Sequence, residues 1–226
     1  MKIGLIGDSL TEGRPGVSFV SFLQKKFPNY LFDNLGKPGE TVKSLNNRLT
    51  NNPLQKNYDL TFLWIGVNDV YSKLLKIQSQ PVVKDHDEFK DYYRNILKNI
   101  SSSTRYTIAV SPAIIGERLD NEFNMELKEL SFIIQFITGN NPSIHFLNMQ
   151  EVFLQHLSTG DSSNFINTSI FSIMKDALFY KSPPRIDHLS NKRGLKYTID
   201  GIHLNSHGAM IVAEIYGEYV EELLQP

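Results

Sequence analysis

Apolar residues along this 226-residue chain follow two alternating rhythms. Short, nearly unbroken apolar runs read as strands buried on both faces, and stretches with apolar residues three or four apart read as amphipathic helices. Ile3, Leu5 and Ile6 open the chain in the first rhythm. Phe19, Val20, Phe22, Leu23 and Phe27 follow in the second, so a helix is expected over 17–27, ended by Pro28-Asn29. Further strands are expected over 30–35, 59–65, 106–110 and 144–147. Helices are expected over 42–49, with Thr41 as cap, and over 85–100, 119–138 and 206–224. This alternation predicts βαβ units: a three-layer α/β/α, flavodoxin-like, doubly wound fold around a five-stranded parallel sheet.

The rhythm loosens after Glu151. Residues 156–198 are too many for an ordinary connection of about 4–6 residues. Within them Ile166, Ile170, Phe171, Ile173, Met174, Ala177 and Leu178 recur at helical spacing, with Thr168 or Ser169 as cap. A Pro183-Pro184 break and a basic run through Arg185, Lys192, Arg193 and Lys196 follow. The segment reads as a lid-like insert or pocket wall, with an extra core helix as the competing reading. The chain as a whole, 1–226, is expected to be one domain.

Composition narrows the function classes. Hydrophobic residues make up 41% and charged residues 21%, the balance of an ordinary globular protein. With 23 basic and 24 acidic residues the net charge is −1, which gives no electrostatic footprint for nucleic acid or an anionic membrane. There is no cysteine, so disulfides, thiolate metal sites and a cysteine nucleophile are excluded. No apolar run approaches the ~20 residues that span a bilayer. The first strand starts at Lys2 without a basic, apolar, small-residue leader, so a soluble, cytoplasmic protein is expected.

Chemistry concentrates where the first three strands end, in the turns Gly7-Asp8-Ser9, Gly36-Lys37-Pro38-Gly39 and Gly66-Val67-Asn68-Asp69. In open α/β sheets, ligands and catalytic groups collect at that carboxyl edge. Ser9 is the candidate nucleophile. Ahead of the last helix, Asp200 stands three residues from His203, close enough for its carboxylate to reach Nδ1, fix the tautomer and stabilise an imidazolium. Gly39 offers a backbone N–H with no Cβ in the way, and Asn68 a side-chain amide, as donors to a developing oxyanion. Taken singly, each residue has a plain use: Ser9 and Asn68 as caps, Gly36 and Gly39 as turn glycines, Asp200 and His203 as a surface hydrogen bond. Asp8 reads as a turn-stabilising carboxylate.

The combination resembles the SGNH hydrolases, also called GDSL esterases and lipases. Gly7-Asp8-Ser9-Leu10, Asn34 through Thr41, Gly66-Val67-Asn68-Asp69 and Asp200-Gly201-Ile202-His203 match that family's four blocks in order and approximate spacing. The resemblance implies a serine esterase that hydrolyses a small-molecule carboxylic ester, of short-acyl, acetyl-sugar or lysophospholipid type, through an acyl-enzyme intermediate. It implies Ser9 as nucleophile, His203 as general base and then acid, and Asp200 as its orienting carboxylate. The Ser9 and Gly39 N–H groups and the Asn68 side chain would form the oxyanion hole, with no metal or organic cofactor. The Gly-x-Ser-x-Gly elbow of α/β-hydrolases is absent around Ser9. The long segment before Thr198 departs from compact members and bears on substrate scope.

Two rival readings use some of the same residues. Asp200, His203 and His207 could form a metal set in a metal-dependent hydrolase. Asp69, with Asp8 as acidic partner, could be the acceptor of a non-enzymatic phosphoacceptor signalling domain. That domain would want a second acid beside Asp8 and a lysine where Asn148 or Met149 stands.

Overall fold

A computed structural model describes residues 1–55, 57–75, 80–118, 120–139, 141–157 and 163–224. In chain order the elements are β1 (Lys2–Gly7), α1 (Ser9–Glu12), α2 (Val20–Lys26), β2 (Leu31–Gly36), α3 (Val42–Asn51), β3 (Tyr58–Trp64), α4 (Val67–Tyr71) and α5 (His86–Ser101). Then come β4 (Thr104–Val110), α6 (Glu122–Thr138), β5 (Ile144–Leu147), α7 (Met149–Leu157), α8 (Ile170–Phe179), α9 (Pro183–Lys192) and α10 (Ser206–Leu224). Residues 158–162 of the expected insert lie outside the described residues, as do Leu119 at the expected start of one helix and Asn140 in the break after it.

Every strand pair is parallel, and the order is β2-β1-β3-β4-β5. β1 lies between β2 and β3, with Ile3 opposite both Phe32 and Leu60. Helices cover both faces of such a sheet, so its central strands are apolar on both sides, and Ile3, Leu5 and Ile6 are fully buried. On one face, α2 and α10 pack together; Tyr216 of α10 stacks on Phe62 of β3 with ring centroids 3.9 Å apart. On the other, α5 packs against both α3 and α6. The strand order reverses between β1 and β3, and the crevice outside their carboxyl ends is where ligands bind in this topology.

Departures from the sequence expectations have local causes. The helix expected from Val17 begins at Val20, because Val17 instead donates its backbone N–H to the Leu204 carbonyl at 2.8 Å. The Pro183-Pro184 pair starts a helix rather than breaking one. Proline lacks only an N–H that the first turn leaves unused, and Ile186 and Leu189 bury an apolar face behind it. α7, where the pattern loosens, buries Met149, Phe153 and Leu157 at four-residue spacing. Ser169 caps α8, its hydroxyl accepting from the Ser172 N–H at 3.3 Å. No helix among the described residues is long and apolar enough to cross a membrane.

Candidate active site

β1 delivers the chain to the sheet's carboxyl edge at Gly7. There the Asp8 side chain accepts the Leu10 N–H at 2.9 Å and starts α1, with Ser9 as its first residue. α1 lies against the end of β2, and a Cβ on Gly36 would stand 2.3 Å from the Glu12 nitrogen and 2.7 Å from the Asp8 carbonyl oxygen. Only glycine lets β2 approach so closely.

Across the crevice, Thr198 and Leu204 form an antiparallel bridge, and Ile199 donates its N–H to the His203 carbonyl at 2.7 Å. In the loop so closed, one Asp200 oxygen accepts the backbone N–H groups of Ile202 and His203, at 3.1 and 2.8 Å. The other lies 2.7 Å from His203 Nδ1. On the far side of the ring, Nε2 lies 2.9 Å from Ser9 Oγ, although the two residues are 194 positions apart. The carboxylate contact assigns the ring proton to Nδ1, which leaves Nε2 to accept from the serine hydroxyl. Ser9 and His203 are each 5% exposed.

Burial opposes charge on both members of the pair. For Asp200, the positive field of His203 and the hydrogen bonds from it outweigh burial and hold the carboxyl below its ordinary range. For His203, burial pulls downward, but the Asp200 carboxylate prevails and raises the imidazole above its usual value. Nearby, burial raises both Asp8 and Asp69 to about 7. The Asp69 carboxylate holds the Val42 N–H at 3.0 Å.

Gly39 takes φ +73°, the left-handed region that favours glycine. Its loop is pinned on several sides. Asn68 Nδ2 donates to the Glu40 carbonyl at 3.0 Å, and Thr41 caps α3 in a capping box with Ser44. Arg48 grips the Glu40 carboxylate through Nε at 2.7 Å and Nη2 at 2.5 Å, and donates to the Leu35 carbonyl at 3.1 Å. Among the described residues, the backbone N–H groups of Ser9 and Gly39 donate to nothing. Both residues line a cavity of about 200 Å³ together with Asn68 and His203, and its opposite wall is Ile170, Ile173 and Met174 of α8.

The family profile described as GDSL-like Lipase/Acylhydrolase matches residues 3–215. The chain belongs to this family. It is a carboxylic ester hydrolase. Among solved structures, the acetyl xylan esterase AlAXEase is 22% identical with a TM-score of 0.69, covering 97% of this chain and 100% of its own. Axe2, an acetylxylan esterase from Geobacillus stearothermophilus, is 19% identical with a TM-score of 0.65, over 100% of this chain and 94% of that one. LAE5, an alpha/beta hydrolase enzyme from the metagenome of Lake Arreo, Spain, is 17% identical with a TM-score of 0.70, over 98% and 95%. At these identities the likeness is one of fold. Comparison with curated protein sequences finds no match.

For this GDSL-type hydrolase the rival readings find no support. His207 is exposed on α10 whereas His203 is buried, and among the described residues no three His, Asp or Glu side chains gather as a metal set. Asp69 is buried, and one of its carboxylate oxygens accepts the Val42 N–H.

Several supports of the site carry no sequence signature. Glu117 is fully buried, and its carboxylate accepts the N–H groups of Lys196, Tyr197 and Thr198 at 2.7, 2.8 and 2.8 Å. That grip anchors the approach to the Asp200 loop. Asn167 donates its N–H to the Asp200 carbonyl at 2.9 Å, while its own carbonyl accepts the Tyr71 hydroxyl. Arg48 and Glu40 meet across the α3 cap, at a spacing that announces nothing.

Proposed function

We propose that this hydrolase works as a serine esterase through Ser9, His203 and Asp200, and that its acyl group is short. The observation that carries the reading is the continuous chain from Asp200 to His203 Nδ1 at 2.7 Å and from Nε2 to Ser9 Oγ at 2.9 Å. In this reading His203 takes the Ser9 proton as Oγ attacks the ester carbonyl carbon, and then returns it to the departing alcohol. Water, deprotonated in turn by His203, releases the acid from the acyl-serine. Asp200 orients the ring and stabilises its charged form. The free N–H groups of Ser9 and Gly39 and the second Asn68 amide proton receive the oxyanion, where fixed donors have most effect.

The acyl pocket, at about 200 Å³, is smaller than the ~300–1,000 Å³ of pockets for drug-sized ligands, and Ile170, Ile173 and Met174 make its wall apolar. That suits an acetyl or other short acyl group, and the acetyl xylan esterases among the structural neighbours support a carbohydrate-like alcohol. We read 1–226 as one domain in which the α8–α9 segment serves as pocket wall. The test is turnover of p-nitrophenyl acetate, butyrate and octanoate. Wild type should favour the shortest esters, and Ser9→Ala should lose at least about 10³-fold in kcat. Equal rates in wild type and a folded Ser9→Ala protein would overturn the assignment.

A further inference from the structure

α4 is five residues long and buried throughout, and Asn68 and Tyr71 stand three apart on it, so they share one face. Both line the cavity at Ser9, as does Leu75, four residues after Tyr71. Tyr71 therefore belongs to the wall of the pocket read above as the acyl pocket. It is 3% exposed, and a phenol so deeply buried needs a partner for its hydroxyl inside the protein.

That partner is the Asn167 carbonyl, 96 positions away, and Asn167 in turn donates its backbone N–H to the Asp200 carbonyl at 2.9 Å. Burial, and after it the charge of Asp200, push the Tyr71 phenol well above its ordinary range, so the hydroxyl keeps its proton and is the donor. Contact between the Asn167 segment and the Asp200 loop is close. Gly201 takes φ +96°, and a Cβ there would stand 2.8 Å from the Phe165 carbonyl oxygen and 3.2 Å from the Ile166 Cα. The Asn167 side chain donates to Ser172 Oγ at 3.1 Å and accepts the Ser169 N–H at 3.2 Å, which ties in the first turn of α8. One buried residue thus joins the Tyr71 wall, the α8 wall and the backbone of Asp200. Without the Tyr71 hydroxyl, the Asn167 carbonyl would lose its donor and residue 167 its fastening to α4.

We infer that Tyr71 is a positioning residue for Asp200, acting through Asn167, and that the same side chain limits the length of the acyl group. The inference rests on the reading of Ser9, His203 and Asp200 as the triad. It makes acyl size and the placing of the base depend on one side chain: an acyl chain long enough to displace the Tyr71 ring also pulls on Asn167 and, through it, on Asp200 and its bond to His203 Nδ1.

The test separates the hydroxyl from the ring. Tyr71→Phe keeps the ring, and its kcat on p-nitrophenyl acetate should fall at least about tenfold. Burial lowers His203, whereas Asp200, and after it Asp8 and Asp176, raise it; of these carboxylates Asp200 is the one held by Asn167. The titration of His203, followed by NMR in Ser9→Ala protein, should therefore move to lower pH when Tyr71→Phe is added, and the acid limb of kcat/KM should move with it in the active enzyme. A role in stability alone would leave both in place. Tyr71→Leu opens the wall, so the ratio of kcat/KM on p-nitrophenyl octanoate to that on the acetate should rise at least about tenfold, while Tyr71→Phe should keep the wild-type ratio. A ratio taken within one preparation does not depend on how much of it is folded. An unmoved His203 titration in the Ser9→Ala/Tyr71→Phe protein, or an unchanged ratio in Tyr71→Leu, would overturn the proposal. Undiminished turnover by Ser9→Ala would instead count against Ser9 as nucleophile, and the His203 titration would still decide the role of Tyr71.

Discussion

Removing the Arg48 side chain tests how the loop proposed to hold the oxyanion is kept in place. The Glu40 side chain is 5% exposed and that of Arg48 16%, so the pair is largely out of water, and its two contacts of 2.7 and 2.5 Å are bidentate. Arg48→Ala would leave the Glu40 carboxylate buried without its partner, and breaking such a pair costs about 3–5 kcal/mol. Arg48 keeps some solvent contact, so water can reach the carboxylate and the lower figure, about 3 kcal/mol, is expected. For a chain of this size that is a fall in Tm of about 6–12 °C, at roughly 2–4 °C per kcal/mol. Catalysis should suffer as well. Glu40 follows Gly39 directly and its carbonyl accepts from Asn68, so a displaced Glu40 misplaces both donors. Losing one oxyanion donor outright costs about 10²–10³ in kcat. Because Asn68 and Asp69 still hold the loop, about a tenfold loss is expected for Arg48→Ala. Chemical denaturation and p-nitrophenyl acetate kinetics measure the two effects. Glu40→Gln/Arg48→Met, which removes both charges, should recover most of the stability. An Arg48→Ala protein within 0.5 kcal/mol of wild type, or a double variant no more stable than the single, would refute the reasoning.

Other outcomes follow from the same geometry. Asp200→Asn removes the carboxylate that raises His203, so the acid limb of kcat/KM should move to lower pH while kcat drops by about 10³-fold or more; a limb that stays in place contradicts the assignment. Asp8 and Asp69, raised to about 7 chiefly by burial, contribute stability that is full below pH ~4 and lost as pH rises through 7. Asp69→Asn should therefore gain on wild type between pH 5 and 8 in pH-dependent denaturation, and parallel curves would count against it. The raised imidazole of His203 acts in the same direction, its stability full below the unfolded value of 6.5 and lost as pH rises through the folded one. Asp200, held low, acts oppositely, its contribution present above 3.8 and lost as pH falls through its folded value. Gly36→Ala puts a Cβ against backbone of α1 at 2.3 and 2.7 Å, so α1 must shift; kcat should fall at least about tenfold and stability by about 1–3 kcal/mol, read by kinetics and thermal denaturation.

What the sequence alone determined was local and periodic. Apolar runs such as Leu60 to Ile65 have to be buried on both sides, and that requirement, repeated between helical stretches, implied a parallel sheet with helices on both faces. Caps were legible for the same reason: Thr41 and Ser169 satisfy N–H groups only three residues away. α9 escaped because two prolines resemble an end more than a start. The four blocks marked the turns after β1, β2 and β3 and the Asp200 loop. Their meeting was settled only by tertiary structure, since strand order places the ends of β1, β2 and β3 side by side and the Asp200 loop opposite them. The same holds for the Glu117 anchor and the Arg48 grip on Glu40. Each joins residues whose separation along the chain carries no period, so their energy comes from burial and charge that exist only once the chain has closed on itself.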